Sequence, residues 1–242
     1  MRDEGIITTW DQSVNFNDPL KPESSINFNL GANYKRRKFI LDTNLFYNSI
    51  SNLIDTRSIA TKTNGQNVFT YVNVNKVFTY GLELNAQYRL TNDLKFTAGY
   101  QYLIAKDPSI IDLIKTGTVY GRDGLETVQL KPSDYFGLFN RSRNTINAKV
   151  YYTIPEWKTG LALRYIYRSK YGLNDTNGSQ GILDKYDTFV KGYGLVNFSV
   201  TQPVGKYFVL QAGANNIFDF TDPQYISNLP GRITYAKLQY NF

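Results

Sequence analysis

The sequence predicts an all-β fold of antiparallel strands. Three observations carry that prediction: period-two alternation of apolar and polar residues, connections that alternate between short and long, and aromatic residues gathered near strand ends. Successive side chains on a strand point to opposite faces, so alternation writes two chemically different surfaces. In the first strand Ile26, Phe28, Leu30, Ala32 and Tyr34 fall on one face, and Asn27, Asn29, Gly31 and Asn33 on the other. Leu82, Leu84, Ala86, Tyr88 and Leu90 likewise oppose Glu83, Asn85, Gln87 and Arg89. Leu94, Phe96, Ala98, Tyr100 and Tyr102 oppose Lys95, Thr97, Gly99 and Gln101. A helix would repeat every 3.6 residues, and on that criterion no helix is expected.

About nine strands follow, at 25–35, 38–51, 68–90, 94–104, 142–153, 159–170, 190–202, 206–216 and 231–242, each near or above the ~10 residues that a tilted membrane strand needs. Short connections at 35–37, 91–93, 154–157 and 203–205 alternate with long ones at 55–67, 105–141 and 172–189. Short turns at one end and long loops at the other are the pattern of outer-membrane barrels, with the short ones periplasmic.

Aromatic placement points the same way. Tyr34, Tyr88, Tyr152, Trp157 and Tyr240 lie close to short turns, and Tyr47, Tyr100, Tyr102, Tyr165 and Tyr167 toward long loops. Membrane barrels carry such belts at headgroup level. Tyr and Phe also favour strands for their own sake, so the signal is the repetition at both ends.

Composition bounds the function. The 242 residues include 20 Tyr and 15 Phe, yet hydrophobic residues reach only 42% and the mean hydropathy is −0.38. No run approaches the ~20 apolar residues of a membrane-spanning helix, a test that strands of a barrel escape. Lys and Arg number 27 against 20 Asp and Glu, for a net charge of +7. These charges are scattered, and the densest cluster, Lys35, Arg36, Arg37 and Lys38, sits at an expected turn. No basic face or nucleic-acid module is present, so nucleic acid is not an expected partner.

There is no His and no Cys. Disulfides, Cys-ligated zinc and the His-based triads are therefore excluded, and neither catalytic residues, a metal site nor a cofactor is expected. The remaining carboxylates, Asp107, Asp112, Asp123 and Glu126 in the longest loop and Asp184 and Asp187 in the next, are candidates for holding a cation or substrate, and a solvated loop explains them equally. Gly117, Gly121 and Gly124 lack the strand-loop-helix setting of a phosphate cradle and read as loop flexibility. The first residues, Met1-Arg2-Asp3-Glu4-Gly5-Ile6, do not read as a secretory signal.

If the apolar face meets lipid, then Tyr34, Tyr88, Tyr100, Tyr102, Tyr152, Tyr165, Tyr167 and Tyr240 face lipid and form the belts. Glu83, Arg89, Lys95, Arg164 and Arg168 then face the lumen, paired with each other or with residues of a plug. A soluble barrel would reverse this, with Leu82, Leu84 and Tyr88 inward and Glu83 and Arg89 in water. Period alone does not choose between them.

Four segments resemble the C-terminal half of TonB-dependent receptors. Asn17-Asp18-Pro19-Leu20-Lys21-Pro22-Glu23 resembles the family's Asn-Pro-x-Leu-Lys-Pro-Glu segment, with the first Pro displaced by one position. Tyr80-Gly81-Leu82-Glu83-Leu84 resembles its Gly-x-Glu strand, and Asn216-Ile217-Phe218-Asp219 its Asn-Leu-Phe-Asp segment. After Pro230-Gly231-Arg232 comes a last strand in which Leu238, Tyr240 and Phe242 resemble the signal read by the barrel-assembly machinery.

The resemblance implies an incomplete wall: roughly two-fifths of a 22-stranded barrel, formed as one C-terminal segment over 1–242 with plug and earlier strands elsewhere. An odd strand count also prevents even, antiparallel closure. The implied setting is the outer membrane of a Gram-negative bacterium, among lipid and lipopolysaccharide, with TonB reached only through missing parts. The implied ligand is an iron-siderophore, haem or cobalamin, met by extracellular loops, since loops on a rigid scaffold carry recognition. Tyr120, Arg122, Tyr135, Phe136, Phe139, Arg141 and Arg143 combine aromatic faces with fixed positive charge and are the candidates, and contact with lipopolysaccharide would use the same chemistry. The alternatives are a self-standing porin or adhesin, a soluble ligand-binding barrel and, third, an outer-membrane enzyme, which the lack of His disfavours.

Overall fold

The computed structural model describes residues 20–61 and 67–242. The Met1 to Ile6 segment, the Asn17-Asp18-Pro19 half of its motif and the 62–66 tip of the expected 55–67 loop lie outside the described residues.

The elements in chain order are β1 (Ser24–Arg36), β2 (Phe39–Thr61), β3 (Asn67–Arg89), β4 (Leu94–Lys106), α1 (Pro108–Lys115), β5 (Tyr120–Asp123), β6 (Glu126–Gln129), β7 (Asn144–Ile154), β8 (Thr159–Arg168), β9 (Tyr171–Gly172), β10 (Phe189–Val190), β11 (Tyr193–Val204), β12 (Phe208–Asn215) and β13 (Ile233–Tyr240). Nine of them form one sheet in the order β1-β2-β3-β4-β7-β8-β11-β12-β13, and β5-β6 and β9-β10 are separate two-stranded pairs. Strands adjacent in the sheet are consecutive in the main wall, and β1 and β13 are its edges, so among the described residues the sheet does not close.

The chain divides into two compact units, one of Met1–Ile26 with Ser49–Val77 and one of Asn27–Asn48 with Phe78–Phe242. In the first, the Lys21-Pro22-Glu23 motif is tied down by its own backbone. Lys21 N donates to Asn73 Oδ1 at 2.8 Å, and Asn73 Nδ2 donates to Lys21 O at 3.0 Å and Asn52 O at 2.7 Å. Ile54 N donates to Glu23 Oε1 at 2.5 Å. β2 runs to Thr61 and β3 begins at Asn67, so strand replaces much of the expected 55–67 loop.

In the second unit the antiparallel register stacks the two faces into rows. Tyr88, Phe96, Val150, Leu163, Phe198 and Ala214 are partners in turn, as are Leu84, Tyr100, Ile146 and Tyr167. On the other face Glu83, Gln101, Thr145, Arg168 and Tyr193 form one row, and Gln87, Thr97, Lys149, Arg164 and Asn197 another. A groove of about 500 Å³ runs along the sheet against Glu83, Asn85, Gln101, Asn147, Arg164 and Arg168 of the polar face. The opposite face leaves Phe28, Leu30, Tyr88, Tyr165 and Leu238 exposed, an apolar surface larger than water tolerates on an ordinary monomer.

The expectation of no helix fails at α1. Asp107 caps it by accepting from Ser109 N at 2.8 Å, Pro108 stands in its first turn and Lys115 in its last, the ordinary arrangement of start and stop signals. Eight residues are too few to reveal a 3.6 period against flanking strands, but Asp107-Pro108-Ser109 is legible as a cap. The glycines are also better placed than loop flexibility suggests. Gly117 N donates to Ile114 O just beyond α1, and Gly121 lies in β5. Gly124, at φ +62, is the first residue of the two-residue turn joining Asp123 to Glu126, which is where a II′ hairpin turn requires glycine.

Candidate functional site

The two long connections, 107–143 and 169–192, fold together. Ile114, Val119, Leu130 and Tyr135 of the first pack with Ile182 of the second, each no more than 2% exposed. A backbone seam joins them: Phe136 N donates to Leu183 O at 2.9 Å, Lys185 N to Asp134 O at 2.9 Å, and Asn140 N to Gly172 O at 2.7 Å. Lys185 Nζ lies 2.9 Å from Asp134 Oδ1. Burial alone would raise the Asp134 carboxyl, but hydrogen bonds from Lys185 and Lys131 hold it below its ordinary value.

Three of the candidate carboxylates, Asp107, Asp184 and Asp187, are anchors of the docked loops. Asp184 is fully buried; Asn177 Nδ2 donates to both its oxygens, at 2.9 and 3.0 Å, and Tyr186 N to Oδ1 at 2.8 Å. Asp187 accepts from Thr176 N at 2.6 Å, Thr176 Oγ1 at 3.0 Å and Asp184 N at 2.8 Å. Asp107 caps α1, Asp112 pairs with Lys115 at 2.8 Å, and Asp123 and Glu126 flank the hairpin turn in solvent. Among the described residues no group of His, Cys, Asp or Glu converges as metal ligands do.

Asp187 gives the loop pair a pH dependence. Burial pushes its carboxyl above the ordinary value, hydrogen bonds from Thr176 and Asp184 pull it partly back, and the Asp184 charge adds to the rise. A raised folded value means that the folded loops hold this proton more tightly than the unfolded chain. The stabilisation is complete below the unfolded value and is lost as pH rises through the folded one. Amide exchange along the seam, corrected for intrinsic rates, is therefore expected to be slower at about pH 4, near the ordinary carboxylate value, than at pH 7, and Asp187→Asn to flatten the difference. Equal protection at both pH values in the unmodified chain would contradict this.

Of the recognition candidates, Tyr120, Arg122 and Arg141 are exposed, and Phe136, Phe139 and Arg143 half-buried. Tyr135 is a correction: only 1% exposed, with its hydroxyl pushed up to about 12 by burial, it accepts the Asp107 N–H at 3.1 Å and belongs to the loop core. Arg143 lies with Cζ 4.1 Å from the Phe136 ring centroid and donates from Nη2 to Phe136 O at 2.9 Å.

Beside it stand residues that loop-by-loop reading passes over. Phe136 meets Phe189 edge-on at 4.7 Å, Lys170 Nζ sits 4.6 Å from the Phe189 ring, and Arg168 Cζ lies 3.7 Å from the Tyr171 ring. Their signal in the sequence is the basic-aromatic run Arg168-Ser169-Lys170-Tyr171 at the end of β8, which resembles Phe139-Asn140-Arg141-Ser142-Arg143 in composition.

The register puts Glu83, Arg89, Lys95, Arg164 and Arg168 on the polar face, and Tyr88, Tyr100, Tyr102, Tyr152, Tyr165, Tyr167 and Tyr240 on the apolar one. The period of β1 puts Tyr34 with Phe28 and Leu30. Among the described residues, however, the five polar-face charges form no ion pairs with one another. Glu83 accepts from Gln101 Nε2 at 2.9 Å, Arg164 donates to Asn147 Oδ1 at 3.0 Å, Lys95 lies over Tyr151, and Arg168 donates to Ser142 Oγ at 2.8 Å and Asn140 O at 2.9 Å. Their partners are instead neutral: side-chain amides for Glu83 and Arg164, a hydroxyl and a carbonyl for Arg168, and a ring for Lys95.

A sequence model of the TonB dependent receptor-like, beta-barrel family matches residues 7–217. The chain belongs to that family. No curated protein matches the sequence. Among solved structures, the chain is similar to the ferric enterobactin receptor PfeA (mutant G324V) of Pseudomonas aeruginosa, with a TM-score of 0.63 and 19% identity over 93% of this chain and 32% of that one. It is similar to the copper transporter OprC, with a TM-score of 0.62 and 18% identity over 93% and 32%. The FrpB iron transporter of Neisseria meningitidis gives a TM-score of 0.59 and 20% identity over 93% and 31%. The chain thus spans about a third of the length of the structures it matches, and at these identities the likeness speaks for the fold.

The Asn216-Ile217-Phe218-Asp219 segment turns the chain through its own side chains. Asn216, 5% exposed at φ +52, accepts Phe220 N at 3.0 Å and donates to Phe220 O at 2.8 Å and Pro230 O at 3.3 Å. Asp219 Oδ1 accepts Arg232 N at 2.6 Å. The segments Asn216 to Asp219 and Pro230 to Arg232 are therefore two halves of one corner that feeds the last loop into β13.

Proposed function

We propose that the 242 residues form a single C-terminal stretch of barrel wall in a TonB-dependent receptor of a Gram-negative outer membrane, which imports a scarce ligand of the iron-siderophore, haem or cobalamin classes. The observation that carries this reading is the nine-stranded sheet, whose rows are apolar on one face and polar on the other, in a chain of this family. Lipid meets the tyrosines from Tyr34 to Tyr240. The polar face lines the lumen and receives a plug, and further strands close the wall against β1 and β13. The loop pair faces outward, within reach of lipopolysaccharide and ligand. Leu238, Tyr240 and Phe242 serve the assembly machinery; Tyr240 packs against Phe208 and Phe242, at 5.2 and 5.8 Å between centroids. TonB acts through the parts outside this chain, and the wall carries no chemistry of its own.

The test is partitioning. Expressed by itself, the chain is expected to need detergent or lipid to stay dispersed and to show β-type circular dichroism only there. A folded monomer in plain buffer would place the apolar rows inside and end the membrane reading.

A further inference from the structure

The turn that carries the Asp184 clasp contains a peptide bond with chemistry of its own. Asn177 is followed by Gly178 in the run Asp175-Thr176-Asn177-Gly178-Ser179. An asparagine before glycine is prone to deamidation, because a neighbour without a Cβ lets its backbone nitrogen approach the asparagine carboxamide. In the docked loops every reacting atom is engaged elsewhere. Gly178 N donates to Asp175 Oδ1 at 2.8 Å. Asn177 Nδ2 donates to both oxygens of Asp184, at 2.9 and 3.0 Å, and Asn177 Oδ1 accepts Ser179 N at 3.1 Å. Asn177 is only 8% exposed, and a Cβ on Gly121 of the other loop would stand 3.2 Å from its carboxamide.

We propose that Asn177-Gly178 is a deamidation site that loop docking keeps closed, and that the reaction, once it has occurred, keeps the loops apart. It requires an excursion in which the loops separate, of the kind that local opening provides. Gly178 N, its proton taken by hydroxide, then attacks Asn177 Cγ; the Cγ–Nδ2 bond breaks, and Nδ2 leaves as ammonia with a proton from water. Water opens the five-membered imide at one of its two carbonyls, giving aspartate or isoaspartate. No electrons are exchanged, and water is the one co-reactant.

Neither product fits the clasp. An aspartate at this position sets an acceptor against each oxygen of Asp184 where a donor stood, and Asp184 is fully buried. Two carboxylates that share one buried site cannot both stay ionised. Asp175 and Asp187 belong to the same turn, and the ion pairs among the described residues, Lys115 with Asp112 and Lys185 with Asp134, bring no cation to it. Isoaspartate lengthens the main chain by a methylene just before Ser179, which is fully buried and has no slack to absorb it. This chemistry needs the docked loops alone and holds whatever the receptor imports.

The experiment incubates the full chain, folded in dodecyl maltoside, in mildly alkaline buffer beside a sample unfolded in urea. Trypsin then releases the peptide 171–185, in which conversion at Asn177 adds one mass unit and fragmentation separates it from Asn174. Conversion is expected to be at least roughly tenfold slower in the folded chain, because it runs through the open fraction. Asn177→Asp, which builds the aspartate product directly, should speed exchange at the Phe136 and Lys185 amides at least roughly tenfold. Asn177→Asp combined with Asp184→Asn puts a donor opposite an acceptor again and should bring exchange back near the unmodified rate. Conversion as fast in the folded chain as in urea would overturn the proposal, and so would an Asn177→Asp chain with full seam protection. A double variant no better than Asn177→Asp would do the same, since opposed carboxylates would then not be what parts the loops. Each of these failures leaves the receptor reading standing, because partitioning decides that one.

Discussion

Replacing Gly137 by alanine is expected to release the first long loop from the wall while leaving the nine-stranded sheet in place. Gly137 has φ +135, in a region that L side chains rarely adopt, and a Cβ there would run into the carbonyl oxygen of Ala105. That carbonyl is not free to retreat, because it accepts Leu138 N at 2.9 Å. Strain at such a backbone angle costs of order 1–3 kcal/mol, and pushing packed backbone aside about as much again. A loss on the order of 3–5 kcal/mol in loop docking multiplies the open population at least a hundredfold. Trypsin cleavage after Arg141 in detergent should accelerate by a similar factor, with the β-type circular dichroism unchanged. Cleavage at the unmodified rate would show that the loop stands off the wall already.

This separation between wall and loops is also the line between what the sequence makes legible and what it hides. All nine wall strands are readable because each spans enough residues for alternation to repeat, and most of their ends fall within two or three residues of the expected ones. β2 is the exception, since Asp55 to Thr61 is polar and turn-like in composition yet extends the strand. The loop pair is hidden for a different reason. α1, β5 and β6 are each eight residues or fewer, too short for a period, and their stability comes from Ile182, Leu183 and Asp184, more than fifty residues downstream.

The site shows the same limit. Arg143 and Phe136 are legible as a basic-aromatic pair in the longest loop, and Tyr120, Arg122 and Arg141 are where loop residues should be. Tyr135 looks identical to them in the sequence, and only the docking of the second loop shows that its ring is buried. Lys170 and Phe189 are 19 positions apart and acquire meaning through Phe136, which no local pattern connects to either. For the carboxylates, a ligand role and an anchoring role call for the same residue type, and the neighbouring N–H groups decide between them.

Asp184→Ala is expected to undo the seam from the other side. The alanine leaves the buried Asn177 amide and the Tyr186 N–H without their acceptor. At about 1–3 kcal/mol for each stranded donor, the docking should lose on the order of 3–5 kcal/mol, and exchange at the Phe136 and Lys185 amides should rise by two orders of magnitude or more. Asp184→Asn should fall between. Its oxygen can still accept Tyr186 N, but its new NH₂ opposes the Asn177 NH₂, and Asn177 cannot turn round without giving up Ser179 N, which its oxygen accepts at 3.1 Å. Seam protection should therefore rank unmodified, then asparagine, then alanine, and a chain in which all three exchange alike would be held together by Tyr135 and its apolar neighbours instead.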